Sequence, residues 1–214
     1  MRIALIHALA HSVAPINDAL ARDWPTATRM NLLDDSLSAD LAAGGKGLDD
    51  AMHARFARLA QYAIDCGSKA ILFTCSAFGP CIDAVARAHV SIPVLKPNEA
   101  MVAQASSLGC RIGLIASFAP TLQSMPTEFP SDTELHCELV EDAMLALDAG
   151  ETARHDALVV AAAERLVNQG CAVIALAQFS MARARRLVAE HTGLPVLTTV
   201  DSAVMELRRR LASA

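Results

Sequence analysis

The chain contains one short unit twice, and this duplication constrains the fold more than any other feature of the sequence. Residues 67–78 align without gaps with residues 170–181, at an offset of 103 residues (170 minus 67). In both copies a glycine precedes an apolar run, and equivalent polar positions follow the run: Cys75 in the first copy and Gln178 in the second. We therefore expect two similar halves, with a thiol in one half where the other half has an amide.

The repeat extends beyond this unit. Residues 2–6 match residues 111–115 at an offset of 109 (111 minus 2), and residues 91–95 match residues 193–197 at an offset of 102 (195 minus 93). Each half reads as a strand, a connecting segment with a helix, a strand, a helix, a short strand and a helix. This order predicts two similar lobes related by a pseudo-twofold axis.

The hydrophobic pattern assigns the elements within each half. Continuous apolar runs predict buried parallel strands at Ile3–His7, Ala70–Thr74, Ile112–Ala116 and Ala172–Ala177, with shorter strands at Val94–Leu95 and Val196–Leu197 and a further candidate at Met30–Leu33. Helical periodicity predicts helices at Ala14–Ala21, Asp49–Cys66, Pro80–Ala88, Glu99–Ser107, Ala153–Gln169, Arg183–His191 and Ser202–Leu211. Helix stops are expected at Gly67, Gly109, Gly170 and Gly193.

Because strands and helices alternate, the sequence predicts an α/β fold. The expected architecture is two pseudo-symmetric lobes, each a mostly parallel sheet flanked by helices, with an active-site cleft between them. The lobes are expected to comprise residues 1–96 plus 200–214 and residues 97–199. Sheets of this kind bind ligands beyond the carboxyl ends of their strands.

The bulk composition excludes some classes of protein. With 214 residues, 53% of them hydrophobic, the chain can bury a full core. The net charge of −5 argues against a nucleic-acid-binding protein, whose affinity would rest on a basic surface. No apolar run resembles a signal peptide or reaches membrane-spanning length, so we expect a cytoplasmic protein that binds neither nucleic acid nor membrane. The six cysteines are expected to be free thiols.

The strand exits carry the candidate functional residues. Cys75 is followed by Ser76 and then by Pro80, which opens a predicted helix. Backbone N–H groups and a helix N-terminus are expected to lower the pKa of a thiol at this position and to favour a bound carboxylate. The alternative is a buried cysteine at a strand end with no chemical role. Cys81, one turn into the helix, is expected to be a packing residue.

Other polar residues near strand ends allow more than one interpretation. His7 follows the first strand and Ser117 follows its counterpart, so both are expected at the ligand-binding edge, although a histidine bonded to backbone is an equal alternative for His7. His7 and His11 have a spacing that suits metal binding on a helix, but they straddle a strand exit, so no metal site is expected. The glycine-rich segment 44–47 lacks the Ser or Thr and the preceding strand of a phosphate-binding loop, and we interpret it as a flexible loop.

These residues resemble the aspartate/glutamate racemase superfamily. Its members have two pseudo-symmetric α/β lobes, each with a Cys–Thr/Ser element at the end of a central strand. Residues 73–77 look like the first element, and residues 176–181 look like the second, which commonly reads Leu-Gly-Cys-x-Gly-Met in hydantoin-racemase-like members. The resemblance implies an enzyme without a cofactor, a small carboxylic acid as substrate, and a homodimer.

The chain departs from the family at the second element. Family racemases use two cysteines on opposite faces of the α-carbon, whereas this chain has Gln178 in place of the second thiol. An amide has no titratable proton near neutral pH, so it can orient a substrate oxygen but cannot deliver a proton. Racemisation by a pair of thiols is therefore not expected.

Three mechanisms remain compatible with the resemblance. In the first, His7 or a water supplies the missing proton and the protein is a racemase or epimerase. In the second, Cys75 acts alone, as in the family's arylmalonate decarboxylases, although those enzymes keep the thiol of the second lobe. In the third, Cys75 is a nucleophile that adds to an unsaturated acid, as in the related maleate isomerases.

All three mechanisms need hydrogen-bond donors around a carboxylate and an apolar wall beside it. The leading hypothesis is a cofactor-independent racemase-like isomerase with Cys75 as acid/base or nucleophile, and a non-catalytic binding protein for small carboxylic acids or a purely structural dimer are the alternatives. The expected substrate-binding residues are His7, Thr74, Ser76, Ser117, Phe118, Gln178, Phe179 and Ser180.

Overall fold

The computed structural model describes residues 1–43 and 47–212. Gly44, Gly45 and Lys46, which form most of the glycine-rich segment, lie outside the described residues. The strands are β1 (Arg2–His7), β2 (Thr28–Leu33), β3 (Ala70–Phe73), β4 (Val94–Leu95), β5 (Ile112–Ala116), β6 (Leu135–Leu139), β7 (Val173–Leu176) and β8 (Val196–Thr198). The α-helices are α1 (Val13–Asp23), α2 (Ser36–Ala42), α3 (Asp50–Asp65), α4 (Gly79–Ala88), α5 (Glu99–Ser107), α6 (Ala119–Ser124), α7 (Glu141–Asp148), α8 (Thr152–Asn168), α9 (Arg185–Thr192) and α10 (Thr199–Ala212).

The strands form two sheets with the same topology. The order is β2-β1-β3-β4 in the first sheet and β6-β5-β7-β8 in the second. Every pair of neighbouring strands is parallel, so each connection must cross over the sheet, and helices fill the crossovers. The predicted α/β class, with two parallel sheets flanked by helices, is confirmed.

The strand register reproduces the sequence repeat residue by residue. In the first sheet Ala4 pairs with Ile71, and in the second sheet Gly113 pairs with Ile174. These residues are related by the offsets found in the sequence, 109 (113 minus 4) and 103 (174 minus 71). The offset of 102 also holds, because Val94 pairs with Ile71 as Val196 pairs with Ile174. The duplication is therefore a duplication of the sheet and not only of short motifs.

The chain divides into two compact units. Unit 1 comprises Met1–Pro97 and Ala203–Ala214, and unit 2 comprises Asn98–Ser202. The division into lobes predicted from the sequence, 1–96 with 200–214 and 97–199, stays a prediction. None of the described helices is both long and apolar enough to cross a lipid bilayer.

The burial of the strands explains which of them the sequence reveals. All residues of β3, β5 and β7 are buried, so these strands are continuous apolar runs. Strand β6 lies at the edge of its sheet and none of its residues is fully buried, so its sequence Leu-His-Cys-Glu-Leu lacks an apolar run. The hydrophobic pattern therefore predicts no strand in this segment.

Helix ends follow local signals, one of which the sequence analysis missed. Gly193 ends α9 with φ of 68°, a left-handed conformation that glycine adopts without strain, and the other three predicted stop glycines also have positive φ. Helix α10 begins at Thr199, earlier than the predicted Ser202, because Thr198 caps it. The Thr198 hydroxyl accepts a hydrogen bond from Asp201 N (3.1 Å) and donates to the Asp201 carboxylate (2.8 Å).

Close packing between α8 and β5 fixes the core of unit 2. Gly113 lies in β5 where a Cβ atom would come within 2.9 Å of Leu166 Cδ1 and 3.1 Å of Ile174 Cδ1. Leu166 and Ile174 are buried, so the surroundings have little room to yield. The equivalent position of unit 1 holds Ala4, so the sheet of that unit accommodates a Cβ atom at this point.

Replacing Gly113 with Ala is expected to destabilise the protein by about 1–3 kcal/mol, the usual cost of forcing an extra methyl group into a packed core. Urea denaturation followed by circular dichroism measures this change. Leu166→Val removes the Cδ1 atom that the new methyl group would meet, so the double variant should lose less than the sum of the two single losses. Strict additivity would contradict the proposed clash.

Candidate active site

In unit 1, the carboxyl ends of β1 and β3 bring His7 and Cys75 to one recess. His7 is the last residue of β1, and Cys75 lies two positions beyond the end of β3, the strand that pairs with β1. The recess is partly open to solvent and has about 170 Å³ of empty space. It is lined by Ile6, His7, Ala8, Leu37, Phe56, Phe73 and Cys75.

The Cys75 thiol is buried and protonated. Its burial raises the pKa to about 11, although the Ala77 N–H and the Ser38 hydroxyl beside the sulfur act in the opposite direction. The expectation that a helix N-terminus would lower this pKa is wrong for the described state. Desolvation outweighs the nearby donors because Cys75 is only 8% exposed.

An aromatic cluster borders the recess, which Phe56 and Phe73 line together with Cys75. Phe56 of α3 stacks on Phe73 of β3, with ring centroids 5.2 Å apart, and lies 5.0 Å from the ring of Phe78. All three rings are almost completely buried. These contacts fix the turn that carries Cys75, because Phe73 precedes it and Phe78 follows it.

His7 is held at both ring nitrogens. Its Nδ1 lies 2.8 Å from Thr74 Oγ1, and its Nε2 lies 2.9 Å from Asn31 Oδ1. Because the amide oxygen of Asn31 can only accept, Nε2 carries the proton, and Nδ1 accepts from the Thr74 hydroxyl. This tautomer is assigned from the hydrogen-bond network. The Thr74 hydroxyl, expected to bind substrate, is thus occupied by His7.

Burial also lowers the pKa of His7, and the hydrogen bond to Asn31 only partly opposes that effect. The imidazole is therefore neutral at neutral pH. Asn31 Oδ1 also accepts from Asn17 Nδ2 (2.8 Å), so the network runs from β3 through β1 and β2 to α1. The sequence analysis missed Asn31; its signal is a polar residue within the Met30–Leu33 strand segment, adjacent to β1.

Helix α2 covers the thiol and is anchored by Arg55. The Arg55 guanidinium donates to Asp34 (2.8 Å), to Asp40 (2.6 Å) and to the Ser36 hydroxyl (2.5 Å). Desolvation raises the pKa of Asp34, but the hydrogen bonds from Ser36 and Arg55 and the charge of Arg55 outweigh it and lower the pKa overall. These contacts hold α2 so that Leu37 lines the recess and Ser38 lies beside the sulfur. No pattern in the sequence predicts this position for Ser38.

In unit 2, Gln178 and Ser117 occupy the corresponding strand exits. Gln178 Oε1 accepts from Ser117 N (2.5 Å) and from Ser117 Oγ (3.2 Å). The amide nitrogen of Gln178 has no hydrogen-bond partner among the described residues and keeps access to solvent. The amide is thus fixed by its oxygen and presents its N–H groups, an arrangement that suits a hydrogen bond to a substrate oxygen.

The remaining predicted binding residues differ in exposure. Ser76 and Phe179 are almost fully buried, Ser180 is buried with its hydroxyl unpaired among the described residues, and Phe118 is half-buried. Phe179 and Ser180 lie in a 3-10 helix after Gln178, as Ser76 does after Cys75. The structure brings together His7, Thr74 and Cys75 in unit 1, and Ser117 and Gln178 in unit 2.

The other cysteines lack a comparable setting. All six are free thiols, as predicted. Cys81 is completely buried in α4, which agrees with a packing role, and burial raises its pKa to about 11. Cys137 is exposed on β6.

Comparison with solved structures shows which proteins share this fold. Glutamate racemase from Thermus thermophilus, in complex with β-chloro-D-alanine, matches with a TM-score of 0.76 at 20% identity over 99% of this chain and 80% of that one. Allantoin racemase from Pseudomonas fluorescens gives 0.71 at 14% identity, over 99% and 91%. An arylmalonate decarboxylase with a Gly-to-Cys substitution, in a sulfate-associated form, gives 0.67 at 17% identity, over 98% and 92%. Likeness at these identities shows the fold alone.

The sequence itself identifies the family. No curated protein sequence matches the chain. The profile of the family described as Asp/Glu/hydantoin racemase, however, matches residues 10–207, which is nearly the whole chain. The resemblance drawn from the strand-end motifs is confirmed, and so is the prediction of a racemase-like enzyme at the level of the family. The chain belongs to the Asp/Glu/hydantoin racemase family.

Proposed function

We propose that the protein is a cofactor-independent enzyme that moves a proton at the carbon next to a carboxylate, with Cys75 as its single thiol acid/base. The observation that carries the proposal is a buried thiol at the exit of a central strand, which lines a narrow recess together with His7. Strand exits are where sheets of this class bind their ligands. The substrate is a small carboxylic acid, and homodimerisation stays a prediction.

The raised pKa favours proton donation over nucleophilic attack. At neutral pH the sulfur holds its proton, so it can protonate an enediolate formed next to the carboxylate. In that step the S–H bond breaks, a C–H bond forms at the α-carbon, and a thiolate remains until water returns its proton. Addition of a thiolate to an unsaturated acid would require the ionised sulfur at the start, which the pKa disfavours.

His7 is a poor candidate for the second acid or base. Both ring nitrogens are already bonded, and the lowered pKa opposes a protonated imidazole. Its bonds to Thr74 and Asn31 instead tie together the strand ends around the recess. The sequence suggested His7 or a water as the second proton carrier of a racemisation, and of these two water is the better candidate.

Gln178 is proposed to hold a substrate oxygen without exchanging a proton. Ser117 occupies its carbonyl oxygen, which leaves the amide N–H groups for a carboxylate or enediolate oxygen. Such a donor stabilises charge that moves onto oxygen in the transition state. The Ser180 hydroxyl, which has no partner among the described residues, is a second candidate donor in unit 2.

Decarboxylation is the second candidate function, and the single protonated thiol favours it. Loss of carbon dioxide generates the enediolate without a base, so one proton donor completes the reaction. A racemase must also remove the α-proton and deliver one from the opposite face. The fold-level match to an arylmalonate decarboxylase is compatible with this alternative but does not select it.

Cys75→Ser is expected to reduce turnover by roughly 10²- to 10⁴-fold, the usual contribution of a general acid or base. Proton NMR in deuterium oxide should follow α-proton exchange in aspartate, glutamate and allantoin, and carbon dioxide release should be measured with arylmalonate. Cys81→Ala is the matched control, since it removes a buried thiol from the following helix. Undiminished turnover in Cys75→Ser would refute the assignment, and ligand binding without any turnover would favour a non-catalytic binding protein.

Gln178→Cys is expected to create or increase α-proton exchange, because it supplies a second titratable group at the position equivalent to Cys75. The same NMR assay measures the effect, with Gln169→Cys as a control for an added thiol elsewhere in unit 2. If this increase in exchange is absent from the Cys75→Ser, Gln178→Cys double variant, it depends on Cys75 as well. That outcome would indicate that both positions serve one reaction. No change in exchange would count against position 178 acting on the substrate.

His7 should make the protein less stable as the pH falls below about 6.5, the ordinary pKa of histidine. The pKa of His7 is lowered in the folded state, so the unfolded chain takes up the proton first and acid favours unfolding. The stabilisation is fully present above the unfolded pKa and is lost as the pH drops towards the folded one. Urea unfolding between about pH 5 and pH 8 measures this change. The free energy of unfolding should fall by up to about 1.4 kcal/mol per pH unit for one proton.

In this series His7→Gln should remove part of the slope. His191→Gln is the control, because that side chain is half exposed. An unchanged slope in His7→Gln would mean that His7 takes up its proton over the same pH range in the folded and the unfolded protein, which would contradict its lowered pKa.

A further inference from the structure

Ser38 has a buried hydroxyl that no described oxygen or nitrogen satisfies. The residue is 5% exposed, and its Oγ completes no hydrogen bond within the described part of the chain. It lies on α2 beside the Cys75 sulfur. A protonated thiol is a weak acceptor, and in the described state the hydroxyl forms no hydrogen bond with it.

A buried, unsatisfied donor destabilises the folded protein, so its presence next to the candidate acid/base calls for an explanation. A thiolate is a far stronger acceptor than a thiol because it carries a full charge. The Ala77 N–H also points towards the sulfur. Two donors therefore converge on the atom that becomes negative when the thiol gives up its proton.

We infer that Ser38 is a positioning residue of Cys75, whose hydroxyl donates a hydrogen bond to the sulfur in the thiolate state. The inference deepens the proposed function and rests on the role of Cys75 given there. The thiol gives its proton to the substrate carbon, the sulfur keeps the electron pair of the S–H bond, and the Ser38 hydroxyl turns its hydrogen towards it. Water then returns a proton to the sulfur, and the hydroxyl is again unsatisfied.

The anchoring of α2 keeps this hydroxyl in place. Arg55 bonds to Asp34 and Ser36, just before Ser38, and to Asp40, just after it, so the short helix is held on both sides of the serine. His7 is the described titratable side chain that lines the recess with Cys75, and its lowered pKa keeps it neutral. The thiolate charge must therefore be stabilised chiefly by hydrogen bonds.

The test is a direct titration of Cys75. In protein labelled with ¹³Cβ-cysteine, the chemical shift of Cys75, assigned by its loss in Cys75→Ala, reports the thiolate fraction independently of solvent access. Ser38→Ala should lower that fraction about tenfold at a given pH below the midpoint, which corresponds to one pKa unit. Ser38→Thr, which keeps the hydroxyl, should stay within about twofold of the parent protein.

Ser106→Ala is the matched control, because Ser106 also has a buried, unpaired hydroxyl but lies on α5 of unit 2. It should leave the Cys75 titration unchanged. Thermal unfolding separates the inference from a structural role: Ser38→Ala should not lower the unfolding midpoint, since it removes an unsatisfied polar group. A thiolate fraction that stays within twofold of the parent in Ser38→Ala, or falls equally in Ser106→Ala, would overturn the inference.

The titration of Cys75 and the turnover assay test different claims, so either result can be negative without the other. If no substrate shows Cys75-dependent turnover, the acid/base role is refuted, yet the titration still decides whether Ser38 stabilises the thiolate. If turnover depends on Cys75 but the titration does not respond to Ser38→Ala, the proposed function stands and the assignment of Ser38 is wrong.

Discussion

The parallel pairing of β1 with β3 is the constraint on which the candidate site of unit 1 depends. The pairing of Ile6 with Phe73 places His7 beside Thr74 and brings Cys75 to the same edge of the sheet. The hydrogen bond from Thr74 to His7 follows directly from this register, and so does the shared recess. Because both strands are buried on both faces, a slip of one residue would bury polar groups, so the register is strongly fixed.

In the duplicated sheets, the residues that stabilise the fold differ from the candidate functional residues at the strand exits. Strands β5 and β7 repeat the pairing of β1 and β3 with other aliphatic residues, and the backbone arrangement is unchanged. The polar residues at the carboxyl ends of the strands, in contrast, differ between the two units. One unit presents a thiol and an imidazole with shifted pKa values, and the other presents an amide bonded to a serine. The sheet can tolerate such divergence because these residues lie at or just beyond the carboxyl ends of the strands, outside the aliphatic middle of the sheet.

The sequence predicted those features that depend on neighbours in sequence or on complete burial. The central strands were found because they are continuous apolar runs, whereas the edge strand β6 was missed because partial exposure leaves it polar. The error on the thiol has a different cause. The local turn after β3 suggested a lowered pKa, but the helix that covers the sulfur comes from residues 36–42, more than thirty positions earlier. Asn31 and Ser38 were missed for the same reason, since strand pairing and helix packing bring them to His7 and Cys75.

Desolvation and hydrogen bonding have opposite effects on the pKa of Cys75, and their balance changes when the thiol loses its proton. In the resting state desolvation prevails, and the sulfur is a neutral acid beside a neutral imidazole. When the proton leaves, the same burial that raised the pKa strengthens every hydrogen bond to the new charge, because the surroundings screen it poorly. Donors fixed before the reaction, such as the Ala77 N–H and the Ser38 hydroxyl, then stabilise the thiolate without a reorganisation of water. A covered sulfur with prearranged donors is therefore better suited to a brief loss of its proton during turnover than to a lasting thiolate.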